Sequence, residues 1–236
     1  HQPSVSKSAD VDALPFVYDA AAYDVAKVEP TLASAEYLGR LRAMDIARLE
    51  VAPVRYLPQS GELEVVTALE VDVTFAGGDW AKTESLIEST YSPFFQAAYH
   101  KVDGIREFTG KSDLVKYPTK LVIVTPPEFE AQLQDYVDWK TEKGFETIVG
   151  VIGSPEVGST TSSIQSYLHD LYNAGTPEDP APSFVVFVGD VAQCPTWMIS
   201  GDATDRPYCA VDGDLFPEMY YGRLSATNSS QLQAII

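Results

Sequence analysis

Between Glu62 and Phe75 the apolar side chains Leu63, Val65, Leu69, Val71, Val73 and Phe75 take odd positions, and Glu62, Glu64, Glu70, Asp72 and Thr74 alternate with them. A period of two is the signature of a half-buried strand, because successive side chains leave a strand on opposite faces. Upstream, Ile46–Val51 and Pro53–Leu57 lead to Pro58-Gln59-Ser60-Gly61, a turn sequence that closes a hairpin onto the alternating segment. Shorter strands are expected at Val25–Val28 and Ala35–Leu38. Residues 1–83 therefore read as a small antiparallel β-sandwich with no residues suited to chemistry.

From residue 117 the spacing changes. Lys120–Thr125 is apolar almost throughout, as a strand buried on both faces requires. Phe129, Leu133, Tyr136, Val137 and Lys140 follow at helical spacing, and the helix stops at Gly144. A second strand over Phe145–Ile152, a second helix over Thr160–Tyr172 and a third buried strand over Ser183–Asp190 complete the run. Strand and helix alternating through short loops predict an open, mostly parallel αβα sheet. Ligands of such sheets bind beyond the carboxyl ends of the strands, which directs attention to Asp190 and the loop from Thr204 to Asp214. The final stretch, Asn228 to Ile236, reads as a capped helix in its first turns, and a fragment of a larger domain is expected.

Residues 84–116 separate the two parts. Ser92–His100 predicts a short helix begun by Pro93, and Lys101, Arg106, Lys111, Lys116 and Lys120 recur every four or five residues beside Gly104 and Gly110, the profile of an exposed linker. Elsewhere acid dominates. The chain carries 16 Lys and Arg against 34 Asp and Glu, a net charge of −18. Residues 144–236 hold only Arg206 and Arg223 against 11 acids. Nucleic acid and anionic membrane surfaces, which demand basic patches, are excluded as main partners. No run of 18 apolar residues is present to span a membrane, and no signal-peptide pattern is expected in the residues as given.

Candidate chemistry is sparse. The first parallel strand ends in Thr125-Pro126-Pro127-Glu128, which lacks the glycine-rich turn of a phosphate cradle. Gly189-Asp190 reads as a strand-end turn whose carboxylate caps nearby amides. Asp212-Gly213-Asp214 with Asp205 and Glu218 makes an oxygen-rich loop, a candidate structural Ca²⁺ site. Two cysteines, Cys194 and Cys209, and three histidines, His1, His100 and His169, show no metal-ligand spacing. No His neighbours either Cys in sequence, so the thiols read as buried groups or as one disulfide.

Three segments together resemble the gingipain-like cysteine peptidases. They are Asp135-Tyr136-Val137-Asp138-Trp139-Lys140-Thr141-Glu142-Lys143-Gly144, then Phe187–Pro195, then Thr204-Asp205 through Tyr208, Asp212-Gly213-Asp214 and Pro217-Glu218 to Gly222-Arg223. Upstream, Tyr37-Leu38-Gly39, Leu49–Tyr56 and Gly61-Glu62-Leu63 resemble the family's β-rich prodomain. The resemblance implies a secreted or cell-surface precursor with a prodomain at 1–83, a basic activation segment at 84–116 and the first subdomain of a caspase-like catalytic domain at 117–236. It further implies a polypeptide substrate, a prodomain bound to its own catalytic domain, no cofactor for the chemistry, and processing at Arg106, Lys111 or Lys116. The family's His-Gly and nucleophilic Cys have no counterpart here, so no catalytic residue is assigned and this stretch is expected to be inactive. Two other readings use the same fold: a non-catalytic secreted binding or processing module, and a sortase-like transpeptidase.

Overall fold

A computed structural model describes residues 5–6, 9–17, 20–24, 31–95 and 117–236. The expected strand at Val25–Val28, His100 and the candidate processing residues Arg106, Lys111 and Lys116 lie outside the described residues.

The β-rich part forms two antiparallel hairpins. Strands β1 (Ala33–Leu41) and β2 (Met44–Val51) pair across the tip Arg42-Ala43, and β3 (Val54–Leu57) pairs with β4 (Glu62–Val65) across the expected turn. The alternating stretch thus yields a shorter strand than its spacing predicts. Beyond Val65 the chain runs without regular structure to Asp79, leaving Leu69, Val73 and Phe75 exposed. Alternation makes a strand only where a neighbour takes up its ladder hydrogen bonds, and no described strand lies against residues 69–75.

A helix follows that spans the boundary expected at 83/84, where the spacing predicts none. After a short turn at Ala20–Tyr23 (α1), helix α2 spans Trp80–Ser89, opened by the Asp79 carboxylate, which accepts from the Lys82 amide at 3.0 Å. The helix expected at Ser92–His100 is replaced by a turn over residues 93–95 as far as the chain is described.

Residues 117–236 carry a four-stranded parallel sheet in the order β10-β7-β5-β6, with β5 at Thr119–Thr125, β6 at Phe145–Val151, β7 at Phe184–Val188 and β10 at Tyr220–Leu224. A two-stranded excursion, β8 (Trp197–Ile199) and β9 (Asp202–Thr204), interrupts the run before β10. All seven residues of β5 are buried, as its apolar run required. Lys120, placed by its spacing both at the head of this strand and last in the series of linker cations, is the second residue of the strand and reaches Asp179 at 2.6 Å.

Alternate residues of the strands feed two cores. Val122, Val124, Val185 and Phe187 pack with Ile164, Leu168 and Tyr172 of helix α5 (Thr161–Asn173). On the other face Leu121, Ile123 and Val188 meet Phe129 of α3 (Pro127–Glu130), Tyr136 of α4 (Gln134–Glu142) and Leu232 of α7 (Ser229–Ile235). Helices on both faces of a parallel sheet make the αβα arrangement.

The chain divides into two compact units, one of His1–Glu36 with Arg48–Ala76, the other of Tyr37–Ala47 with Gly77–Ile236. The division does not follow the boundary expected at 83/84. The hairpin tip and α2 belong with the αβα sheet.

Candidate functional site

The carboxyl end of β7 turns sharply at Gly189, whose φ of 107° and closeness to Gln193, 2.7 Å from where a Cβ would stand, leave room for glycine alone. Asp190 then caps the turn as read from sequence: its carboxylate accepts from the Val191 amide at 2.8 Å, and its carbonyl accepts from the amides of Gln193 and Cys194. The loop so formed carries Cys194 into the core.

Arg223, near the end of the neighbouring strand β10, fixes this corner. Its Nη1 donates to the carbonyls of Gly189 and Cys194, both at 2.9 Å, while Nε and Nη2 form a fork onto the Asp205 carboxylate at 2.9 and 2.7 Å. Thr196 adds a third donor to Asp205 at 2.7 Å. A planar guanidinium can hold two backbone carbonyls and a bidentate carboxylate at once; an ammonium cannot. Asp205 precedes the one-turn helix α6 (Arg206–Cys209), so the pair ties the loops after β7 and β9 to the strand end.

Neither thiol is poised as a nucleophile. Cys194 and Cys209 are free and fully buried. Burial pushes the Cys194 thiol up to about 11 against the partial pull of Arg223, and pushes Cys209 higher still. A thiol that stays protonated neither attacks a carbonyl nor binds a metal. His169, on α5, is turned to the Pro207 backbone rather than presented to a thiol, and burial lowers its pKa.

Three of the four candidate calcium ligands accept from protein donors. Asp205 is occupied by Arg223 and Thr196; Asp214 accepts the amides of Arg40 and Phe216; Glu218 accepts the Val211 amide at 2.7 Å. Among the described residues no group of three or more His, Cys, Asp or Glu is placed to hold a metal ion. The donors to these three carboxylates come from the loop itself, from Arg223 and Thr196, and from the β1 strand.

Glu218 is nevertheless unusual. It is buried, its Oε1 has no hydrogen-bond partner, and burial, with Asp212 and Asp214 nearby, pushes its carboxyl up to about 7 against the Val211 and Asp212 amides that favour the anion. An open aromatic groove of about 500 Å³, lined by Phe94, Tyr136, Lys140, Phe145, Phe184 and Tyr220 among others, lies over β7 and β10, with no Cys, Ser or Thr among the described residues of its lining.

Two arrangements were not read from the sequence. The Arg223–Asp205 fork had one signal, since Arg223 is one of two cations in an otherwise acidic half. The other is Arg42, at the hairpin tip, which is 2% exposed.

Comparison with known proteins gives this geometry a context. The chain is 38% identical over 244 aligned residues to Lys-gingipain of Porphyromonas gingivalis, covering all of this chain and 14% of that protein. It is 26% identical over 238 residues to gingipain R2 of the same organism, covering 98% of this chain and 31% of the relative. A solved complex of the pro- and mature domains of RgpB from Porphyromonas gingivalis matches 48% of this chain and 26% of that one, at 26% identity and a TM-score of 0.43. The chain thus spans less than a third of either gingipain. Residues 1–91 match the C25 propeptide and residues 115–236 match peptidase family C25, so the chain belongs to peptidase family C25 and carries the family's propeptide ahead of the start of its peptidase domain.

Proposed function

We propose that this chain is the latent N-terminal region of a secreted cysteine endopeptidase precursor, inactive by itself and acting on polypeptides only with a Cys/His dyad supplied from outside residues 1–236. The observation that carries the reading is the propeptide and the peptidase domain in tandem on one chain. The state of the thiols supports the inactive half of it, because Cys194 and Cys209 are buried and held protonated. In such a peptidase the thiolate attacks the peptide carbonyl, His carries the proton to the leaving amine, and backbone amides hold the oxyanion. The residues present contribute scaffold: a parallel sheet whose strand-end loops are pinned by Arg223 and Asp205.

The test compares the 236-residue chain with a longer product of the same gene on a panel of peptide substrates, with and without a thiol alkylator. The chain alone gives no turnover, and the longer product hydrolyses peptide until alkylated. Hydrolysis by the chain alone that disappears on Cys194→Ala or Cys209→Ala overturns the inactive reading. A longer product that neither hydrolyses nor transfers peptide supports a binding module, and one that joins peptides to an added amine supports a transpeptidase.

A further inference from the structure

The tip of the β1–β2 hairpin carries an arginine where turn chemistry favours Asn or Gly. Arg42 has φ 56°, in the left-handed region that an ordinary side chain adopts only at a cost. A strained residue at a turn needs a compensating interaction. Here the side chain provides it. Nε and Nη2 donate to the Thr90 carbonyl at 3.0 and 2.8 Å, and Nη1 donates to the carbonyls of Pro182 at 3.2 Å and Glu218 at 2.6 Å. The guanidinium lies 4.6 Å from the ring centroid of Phe95 and 5.3 Å from that of Tyr172. Backbone carbonyls and ring faces hold the cation in these contacts, an arrangement suited to a planar fork.

The sequence positions of these partners matter. Thr90 and Phe95 precede the segment 96–116, whereas Tyr172, Pro182 and Glu218 follow it. Further contacts bridge the same two stretches: the Ala181 amide donates to the Ser89 carbonyl at 2.9 Å, the Ser183 and Ser92 hydroxyls meet at 2.7 Å, Phe95 stacks on Tyr220 at 4.3 Å, and the Arg40 amide donates to Asp214. Gly39 permits this last approach, because a Cβ there would run into the Asp214 carboxylate.

We propose that the hairpin tip is a noncovalent latch, in which the Arg42 guanidinium seated in its carbonyl and aromatic cage keeps the propeptide on the peptidase part after the connecting segment has been cut. The cage sits where β7 and β10 begin, the end of the sheet opposite Gly189 and Arg223, so the latch acts apart from the strand-end loops. The inference rests on the precursor reading, but its test measures association rather than hydrolysis, so either can fail without the other.

A recognition sequence for a site-specific protease is placed between residues 101 and 110 of the full 236-residue chain, the chain is cut, and the pieces are analysed by size exclusion and by dilution. Wild-type pieces co-elute. Arg42→Gly, which relaxes the turn while deleting the guanidinium, weakens their association by roughly 30-fold or more. Should uncut Arg42→Gly lack the wild-type circular dichroism spectrum, Arg42→Lys is read instead, with at least roughly tenfold weakening expected from the loss of the fork. Wild-type pieces that separate on cutting, or variant pieces whose association weakens by less than the stated factor, overturn the latch.

Discussion

Arg223 and Asp205 are each mostly buried, with side chains 15% and 12% exposed, and the value of their fork is tested by leaving one member alone. Asp205→Ala strands Nε and Nη2 without a carboxylate and is expected to destabilise the chain by about 2–4 kcal/mol in urea denaturation, because an uncompensated buried charge costs more than the pair contributes. A loss below about 1 kcal/mol would show the fork to be a solvated surface pair. Glu218 makes a prediction of opposite kind. Its folded carboxyl is raised from 4.5 to about 7, so the folded state binds a proton more tightly than the unfolded chain. The resulting stability is fully present below the unfolded value and is lost as pH rises through the folded one. Glu218→Gln keeps an acceptor for the Val211 amide and removes the titration. The variant should match wild type near pH 4.5 and exceed it at pH 8 by up to roughly 3 kcal/mol in thermal unfolding. Parallel pH profiles for the two proteins would refute the assignment.

At the scale of elements, sequence spacing reported well where burial is local and two-sided. The run Lys120–Thr125 and the spacing of Ile164, Leu168 and Tyr172 gave β5 and α5 close to their observed bounds, because a strand between two helical layers and a helix on a sheet impose their periods directly. Leu168 is fully buried in that contact, and Leu168→Ala is expected to cost about 2–5 kcal/mol by chemical denaturation. A cost under 1 kcal/mol would mean the site collapses around the loss. Spacing failed where the deciding partner is distant. The alternation at Leu69, Val71, Val73 and Phe75 says nothing about whether a strand lies alongside. The donors to the carboxylates of Asp205, Asp214 and Glu218, Arg223 and scattered backbone amides among them, carry no local signature. Arg42 was invisible for the same reason, since three carbonyls from residues 90, 182 and 218 have no side-chain code. Gly39→Ala tests the hairpin's seat on Asp214 directly. It places a Cβ against the carboxylate at a φ of 144°, and a fall in melting temperature of several degrees is expected. An unchanged melting temperature would mean Asp214 yields freely.

For the molecule as a whole, the propeptide match ends at residue 91 and the peptidase match begins at residue 115, yet compactness follows neither limit. Tyr37–Ala47 and Gly77–Ile236 make one unit, with Arg42, Cys194 and Cys209 all fully enclosed in it. A unit of this size is expected to open cooperatively, so burial of the two thiols becomes a probe of its global stability rather than of local motion. Without denaturant, alkylation at pH 8 should be slower than that of a free thiol by a factor of hundreds or more at both positions. Across a urea series Cys194 and Cys209 should become reactive with a common midpoint, since both lie in the core between α5 and the sheet. Arg42→Gly should move that midpoint down for both thiols together, because the hairpin tip stabilises the same unit from the opposite end of the sheet. Mass spectrometry of the labelled peptides reads each site separately. A thiol that reacts at the free rate in native buffer would contradict its burial and restore it as a candidate nucleophile. Midpoints that split between the two cysteines would instead divide the unit that the contacts of Arg42, Phe95 and Tyr220 hold together.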